Sequence, residues 1–217
     1  MHFSGQRVLF IGAHPDDIEL GCGALIHHIA RSRKSEILCV TLSDNQKNPA
    51  LKNLIQEMYA SMEVLGVPPE RILLGKFTTR HFHETRQELL DYLVHLRRDF
   101  QPEIVFVHSR QDIHQDHNIV TEEALRAFRG TTLFGFEIIR SSYGFFPQIF
   151  LEVDEEDVQA KVEALACYET YAEKNYFDPE VIRATLKRNG AISERAYAEG
   201  FDLLRLIGRF AADAAEK

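Results

Sequence analysis

Tryptophan is absent, and cysteine and methionine occur only three times each. Cys22, Cys39 and Cys167 are odd in number, far apart and form no CxxC pair. That spacing excludes a disulfide framework and favours a reducing cytoplasm. No apolar run approaches the roughly 20 residues that cross a bilayer, so no membrane span is expected. The apolar stretch from Val8 to Ile11 is far too short for a secretory signal. Positive charge is also scarce, with 25 Lys and Arg against 33 Asp and Glu and a formal net charge of −8. Phosphate backbones need clustered basic residues, so nucleic acid is excluded as a partner.

What is present describes an ordinary globular chain. Its 217 residues are 45% hydrophobic and 27% charged, enough for one full core. With no repeat, no low-complexity tract and no linker, residues 1–217 read as one domain. The composition stands out at one point: there are ten histidines.

Short apolar runs alternate with helical spacing along most of the chain. Strands are predicted at 7–13, 36–42, 71–77 and 104–108. Helices are predicted at 20–31, 51–65, 84–100 and 117–128. Such alternation implies parallel strands joined by right-handed crossovers, an α/β fold with a doubly wound sheet. Beyond Gly130, strands are expected at 132–139 and 148–153 around an aromatic loop at 141–147. Asp154 is expected to cap a helix running through Tyr171, because Asp157 stands at capping-box spacing. Helices over 179–188 and 195–210 complete the prediction.

Ligands of open α/β sheets sit beyond the carboxyl ends of strands. The first strand runs into His14-Pro15-Asp16-Asp17, and the fourth into Asp112-Ile113-His114-Gln115-Asp116-His117. The first turn cannot cradle a dinucleotide. It offers Gly12 alone, followed by two carboxylates that would repel a pyrophosphate. Imidazole and carboxylate are instead the usual ligands of catalytic Zn²⁺, where three protein groups leave a position for water. Adjacent Asp16 and Asp17 would repel each other in a dry site without a cation. One of them can hold metal while the other acts as base, and His114 and His117 can divide ligation and oxyanion contact in the same way.

The segments AHPDDIELGCGAL and DIHQDH resemble the PIG-L/LmbE-like family of metal-dependent N-deacetylases, whose members act on N-acetylglucosaminyl-phosphatidylinositol and thiol glycosides. RHFHETRQELLDYL, GFFPQIFLEV and YAEGF extend the resemblance over nearly the whole chain. It implies a Rossmann-like three-layer αβα fold with a mostly parallel sheet. It implies His14, Asp17 and His117 as metal ligands and Asp16 as general base. His114 is implied to stabilise the oxyanion and protonate the leaving amine, with Asp116 orienting it and Asp112 as an upstream acid. The implied cofactor is Zn²⁺, with Fe²⁺ acceptable to the same ligands.

The implied reaction is zinc-dependent removal of the N-acetyl group from an N-acetylated amino sugar or its conjugate, releasing acetate. An amidase acting on another acyl or thiol conjugate, and a non-catalytic metal- or sugar-binding protein, are the alternatives. The expected partner is a small amino-sugar substrate, and a homo-oligomer is compatible with Phe145 and Phe146 at an interface or a substrate rim. The resemblance breaks at one substrate contact: Glu57 fits a family Glu, but Leu54 stands where many members carry Arg. Arg80, His81 and Arg140 are the candidate replacements. His27, His28 and His95 read as packing or surface groups, and His108 as a satisfied core histidine or, alternatively, a support in contact with the ligands.

Overall fold

The computed structural model describes residues 5–45 and 47–208. Five parallel strands form the main sheet: β1 (Arg7–Gly12), β2 (Glu36–Thr41), β3 (Ile72–Leu74), β4 (Ile104–His108) and β5 (Thr132–Phe136). Two more, β6 (Ile149–Val153) and β7 (Tyr197–Arg205), extend it to the order β3-β2-β1-β4-β5-β7-β6. The chain leaves β1 for β2 on one side and later returns to β4 on the other. This reversal opens a crevice at the carboxyl ends of β1 and β4.

Alternation along each strand divides the core between two faces. Val8 and Phe10 join one cluster, and Leu9 and Ile11 join the other. The first face is covered by α1 (Asp17–Ser32), α2 (Leu54–Val64), α5 (Glu155–Ala166) and α6 (Pro179–Ile192). The opposite face is covered by α3 (Arg86–Phe100) and α4 (Gln115–Ala127). This is the expected three-layer α/β fold. The apolar runs of β1, β2 and β4 are continuous because helices cover both of their sides.

Helix α1 carries the first motif and is held tightly. A Cβ on Gly21 would meet the Phe136 ring at 2.3 Å, so only glycine lets the helix lie this close to β5. Lys161 of α5 donates to the Leu20 carbonyl at 2.7 Å and to Glu199 of β7 at 2.6 Å. Glu199 in turn accepts from the Ala24 and Leu25 amides. Glu19, 1% exposed, accepts from the Tyr168 hydroxyl through one oxygen. Burial raises the Glu19 carboxyl to about 7 despite that hydrogen bond.

Several predicted elements differ. Residues 195–210 are not a helix: β7 lies antiparallel between β5 and β6, and residues 209 and 210 fall outside the described range. Its polar residues do not mark a solvent face, since Glu199 pairs with Lys161 and Asp202 accepts from Ser109. The capping box at Asp154 is present, but α5 ends at Ala166 and a separate 3-10 turn covers Glu169–Tyr171. The strand expected over 71–77 is only Ile72–Leu74, entered from a 3-10 turn at Pro69–Arg71.

Two stability predictions follow from the packing of α1. Lys161→Met strands the Glu199 charge, and chemical denaturation should show a loss of about 3–5 kcal/mol. For Glu19 the folded carboxyl lies above its ordinary value. Its ionisation therefore removes stability as pH rises from 4.5 to about 7, with no further loss above. Glu19→Gln should gain on the order of 2–3 kcal/mol over wild type at pH 8 and little at pH 4. A pH-independent difference would show that Glu19 does not titrate in this way.

Candidate metal and catalytic site

The two motifs meet where β1 and β4 end side by side. After Gly12 the chain turns through His14, and the backbone N–H of His14 donates to Asp17 Oδ2 at 2.7 Å, fixing Asp17 at the start of α1. After His108, residues 112–114 form the approach to α4. There Asp112 Oδ1 accepts from the His114 amide at 2.8 Å, and His117 follows in the first turn. His14, Asp17 and His117 are all at least nine-tenths buried.

Four facing atoms of three residues define the centre. His117 Nε2 lies 3.2 Å from His14 Nδ1, Asp17 Oδ2 lies 3.4 Å from His14 Nδ1, and Asp17 Oδ1 lies 3.4 Å from His117 Nε2. The far nitrogen of each imidazole is held by a carboxylate. His14 Nε2 meets Asp116 Oδ2 at 3.0 Å, and His117 Nδ1 meets Asp112 Oδ2 at 2.8 Å. A proton on each far nitrogen leaves both near lone pairs facing each other beside a carboxylate. Nitrogens facing at 3.2 Å share either a proton or a bound cation. Ligand atoms held at about 2.0–2.1 Å from one ion lie roughly 3.3 Å apart, and the Asp17 carboxylate presents one oxygen to each imidazole at close to that spacing, so the donor set fits a small divalent cation.

Proton binding reflects the same field. Burial opposes charge on His14, but Asp116 and Asp17 outweigh it and raise the imidazole to about 10. Asp17 is also penalised by burial, yet His117 and His108 hold it well below the usual carboxylate range. Asp16 is the opposite case: burial and the Asp17 charge push it well above that range. Among the described residues, its carboxylate accepts no hydrogen bond and does not cap α1. Asp16 also sits at φ 97°, a left-handed conformation that strains a residue with a side chain.

His114 lies beside this group, with its Nδ1 accepting the Asp116 amide at 3.2 Å. In the neutral ring, the Nε2–H is then the donor. Burial and the neighbouring His117 and His14 charges lower His114 to about 4, which keeps it neutral near pH 7. The expected pairing of Asp116 with His114 is absent on the carboxylate side. That carboxylate holds His14 and accepts the Arg80 amide at 2.6 Å. Arg80 adopts φ 67° in the loop that delivers this amide.

The group opens into a cleft of about 470 Å³. Of the three candidate substrate contacts, Arg80 and Arg140 line it. His81 does not, and pairs with Glu84 at 2.8 Å instead. Asn45, Thr79, Tyr171 and Tyr176 also line the cleft, and sequence patterning singled out none of them. His108 is more than a core histidine. It accepts the Ala13 amide at 3.1 Å and stacks on His117 with ring centroids 3.8 Å apart. His27 and His28 lie far along α1 and bind the buried Asp157 of α5 at 2.8 and 2.7 Å.

With this geometry in hand, residues 9–128 match the family model described as PIG-L, GlcNAc-PI de-N-acetylase. An uncharacterized deacetylase of Escherichia coli, YaiS, is 29% identical over 166 residues, covering 74% of this chain and 89% of that protein. The 1D-myo-inositol 2-acetamido-2-deoxy-alpha-D-glucopyranoside deacetylase of Salinispora arenicola is 26% identical over 179 residues, covering 68% of this chain and 58% of that protein. The conserved protein TT1542 of Thermus thermophilus has the same fold, with a TM-score of 0.77 at 20% identity over 94% of this chain and 97% of that one. A match over more than half of the sequence, joined to a deacetylase relative and a shared fold, makes the chain a member of the PIG-L family of N-deacetylases.

Proposed function

We propose that the chain is a zinc-dependent hydrolase that removes the acetyl group from an N-acetylated amino sugar or its conjugate. The observation that carries this reading is the trio of His14 Nδ1, His117 Nε2 and the Asp17 carboxylate, with an unpartnered carboxylate beside it. His14, Asp17 and His117 would hold the metal, which when bound supplies Lewis acidity toward water and an amide carbonyl. Asp116 and Asp112 fix the two imidazoles in the ligating tautomer. The activity of the Salinispora arenicola relative on a 2-acetamido glucopyranoside supports the substrate class.

Asp16 takes the proton from the attacking water as the oxygen adds to the acetamide carbonyl. His114 donates its Nε2–H to the oxyanion that forms, a contact that stabilises the transition state without a formal charge. The C–N bond then breaks, Asp16 returns its proton to the departing amine, and acetate and the free amino sugar leave. The sequence pointed to His114 for that last proton. Because Nδ1 accepts the Asp116 amide, the neutral ring has only its Nε2–H to give, which suits a hydrogen bond to the oxyanion. A purely structural metal site would not need an unpartnered base at its edge, which weighs against a non-catalytic binding protein. Three free cysteines support a reducing compartment, the cytoplasm.

Two variants test the assignment. Asp16→Asn tolerates the left-handed backbone and removes the base. It should retain stoichiometric zinc by elemental analysis while acetate release from N-acetylglucosaminides falls about 10²–10⁴-fold. Turnover near wild type would remove Asp16 from this role. Asp112→Asn should stay folded by circular dichroism but weaken zinc about 10–100-fold in chelator competition, because His117 loses its carboxylate.

A further inference from the structure

We propose that the substituent on the amino sugar is apolar, an aryl aglycone that lies on Ile113 and Tyr143 at the mouth of the cleft. The inference rests on the deacetylase reading above and names the substrate class of that same site. Ile113 is 62% exposed and Tyr143 is 69% exposed, and both line the cleft that contains His14 and Asp16. Large apolar groups left in water at a cleft mouth mark a surface that is covered in use. Ile139 and Phe146, on the same β5–β6 connection as Tyr143, are exposed too.

This wall is braced. The Ile113 amide donates to the Ser141 carbonyl at 2.9 Å, joining the approach to α4 to the β5–β6 connection. Ser141 Oγ donates to Asp112 Oδ2 at 2.9 Å, the same oxygen that holds His117. Gly144 turns the chain just beyond Tyr143 at φ 80°. The rim is therefore tied by hydrogen bonds to the carboxylate that orients a candidate ligand.

The cleft is two-faced. Asn45, Thr79 and Arg80 bring polar groups suited to sugar hydroxyls, whereas Ile113 and Tyr143 offer a branched alkyl and an aromatic face. A free amino sugar carries hydroxyls around its ring and would leave this apolar rim wet. An aromatic ring on the anomeric oxygen covers it and gains from contact with the phenol. Two side chains match one ring in size, far less than a bilayer contact.

The test uses the zinc-loaded full chain, an acetate assay and three substrates: N-acetylglucosamine and its methyl and phenyl glycosides. Phenyl should exceed methyl in kcat/KM by about tenfold or more, through KM, as expected for burial of roughly one ring. Tyr143→Ala and Ile113→Ser should each reduce that ratio, and together bring it near one. Equal wild-type values for phenyl and methyl, or a ratio unchanged in the double variant, would overturn the apolar rim while leaving the deacetylase reading intact. Acetate from none of the three would sink both. If Tyr143→Ala instead converts a dimer to a monomer on a sizing column with the ratio unchanged, the rim belongs to an interface between copies. Tyr143-dependent co-sedimentation with phosphatidylcholine vesicles would assign it to a lipid surface.

Discussion

The site depends on the compensation of charge in a nearly dry space. Asp17, Asp112 and Asp116 converge on His14 and His117 at the end of one sheet, and none of the five is more than 9% exposed. Carboxylates this close would repel one another, and imidazoles facing through their lone pairs would do the same. The arrangement holds because each imidazole stands between a carboxylate and the shared centre. The geometry that satisfies the acids therefore leaves two imidazole nitrogens and the Asp17 carboxylate turned toward one point. Asp16 lies outside this pairing, and burial without a partner holds its proton more tightly.

The fold delivers this arrangement by setting β1 against β4. Parallel pairing from Val8–Ile104 to Phe10–Phe106 brings the ends of both strands to the same edge. Each end then leads into a helix whose first turn carries an acid, Asp17 on α1 and Asp116 on α4. Helix N-termini favour negative charge, which offsets part of the cost of burying these carboxylates. The rest of the molecule fixes the pitch of α1: Gly21 lets it approach Phe136, and Lys161 with Glu199 engages its backbone midway. The site also reaches outward through Asp112 to Ser141 and through Asp116 to Arg80, so two surface loops are hydrogen-bonded to its supports.

The parallel half of the fold was legible because its strands are buried on both faces and its helices show regular apolar spacing. The antiparallel edge was not. In β7 the buried residues include Glu199 and Asp202, whose partners Lys161 and Ser109 are remote in sequence, so the segment mimics the polar face of a helix. Gly200 was the overlooked signal, since a Cβ there would meet Pro147 and Asn189 within 3 Å. At the site, the motifs named the residues that converge. They could not say which carboxylate holds which imidazole, because Asp116 reaches past His114 to His14. Loop residues such as Asn45 and Thr79 carry no periodicity, and only the fold brings them to the cleft.

Leu54 belongs to the apolar core and not to the lining of the cleft. At this position in α2 the side chain is fully buried in the apolar core and shares a helix face with Met58 and Met62 of the same cluster. Glu57, one turn on, accepts from the Thr170 amide and hydroxyl, which ties α2 to the 3-10 turn holding Tyr171. Helix α2 thus contributes packing and a support for an aromatic cleft wall, with no cation of its own at position 54. Positive charge enters the cleft from two loops instead, Arg80 after β3 and Arg140 after β5. Arg140 lies over the Tyr176 ring at 5.8 Å, and its charge also acts on Asp16. A guanidinium on a loop can follow the shape of the ligand, whereas one on α2 would be held by the helix. The arginines and the exposed apolar side chains that line the cleft therefore lie on loops following β3, β4 and β5, the segments through which a shared fold accommodates different substrates.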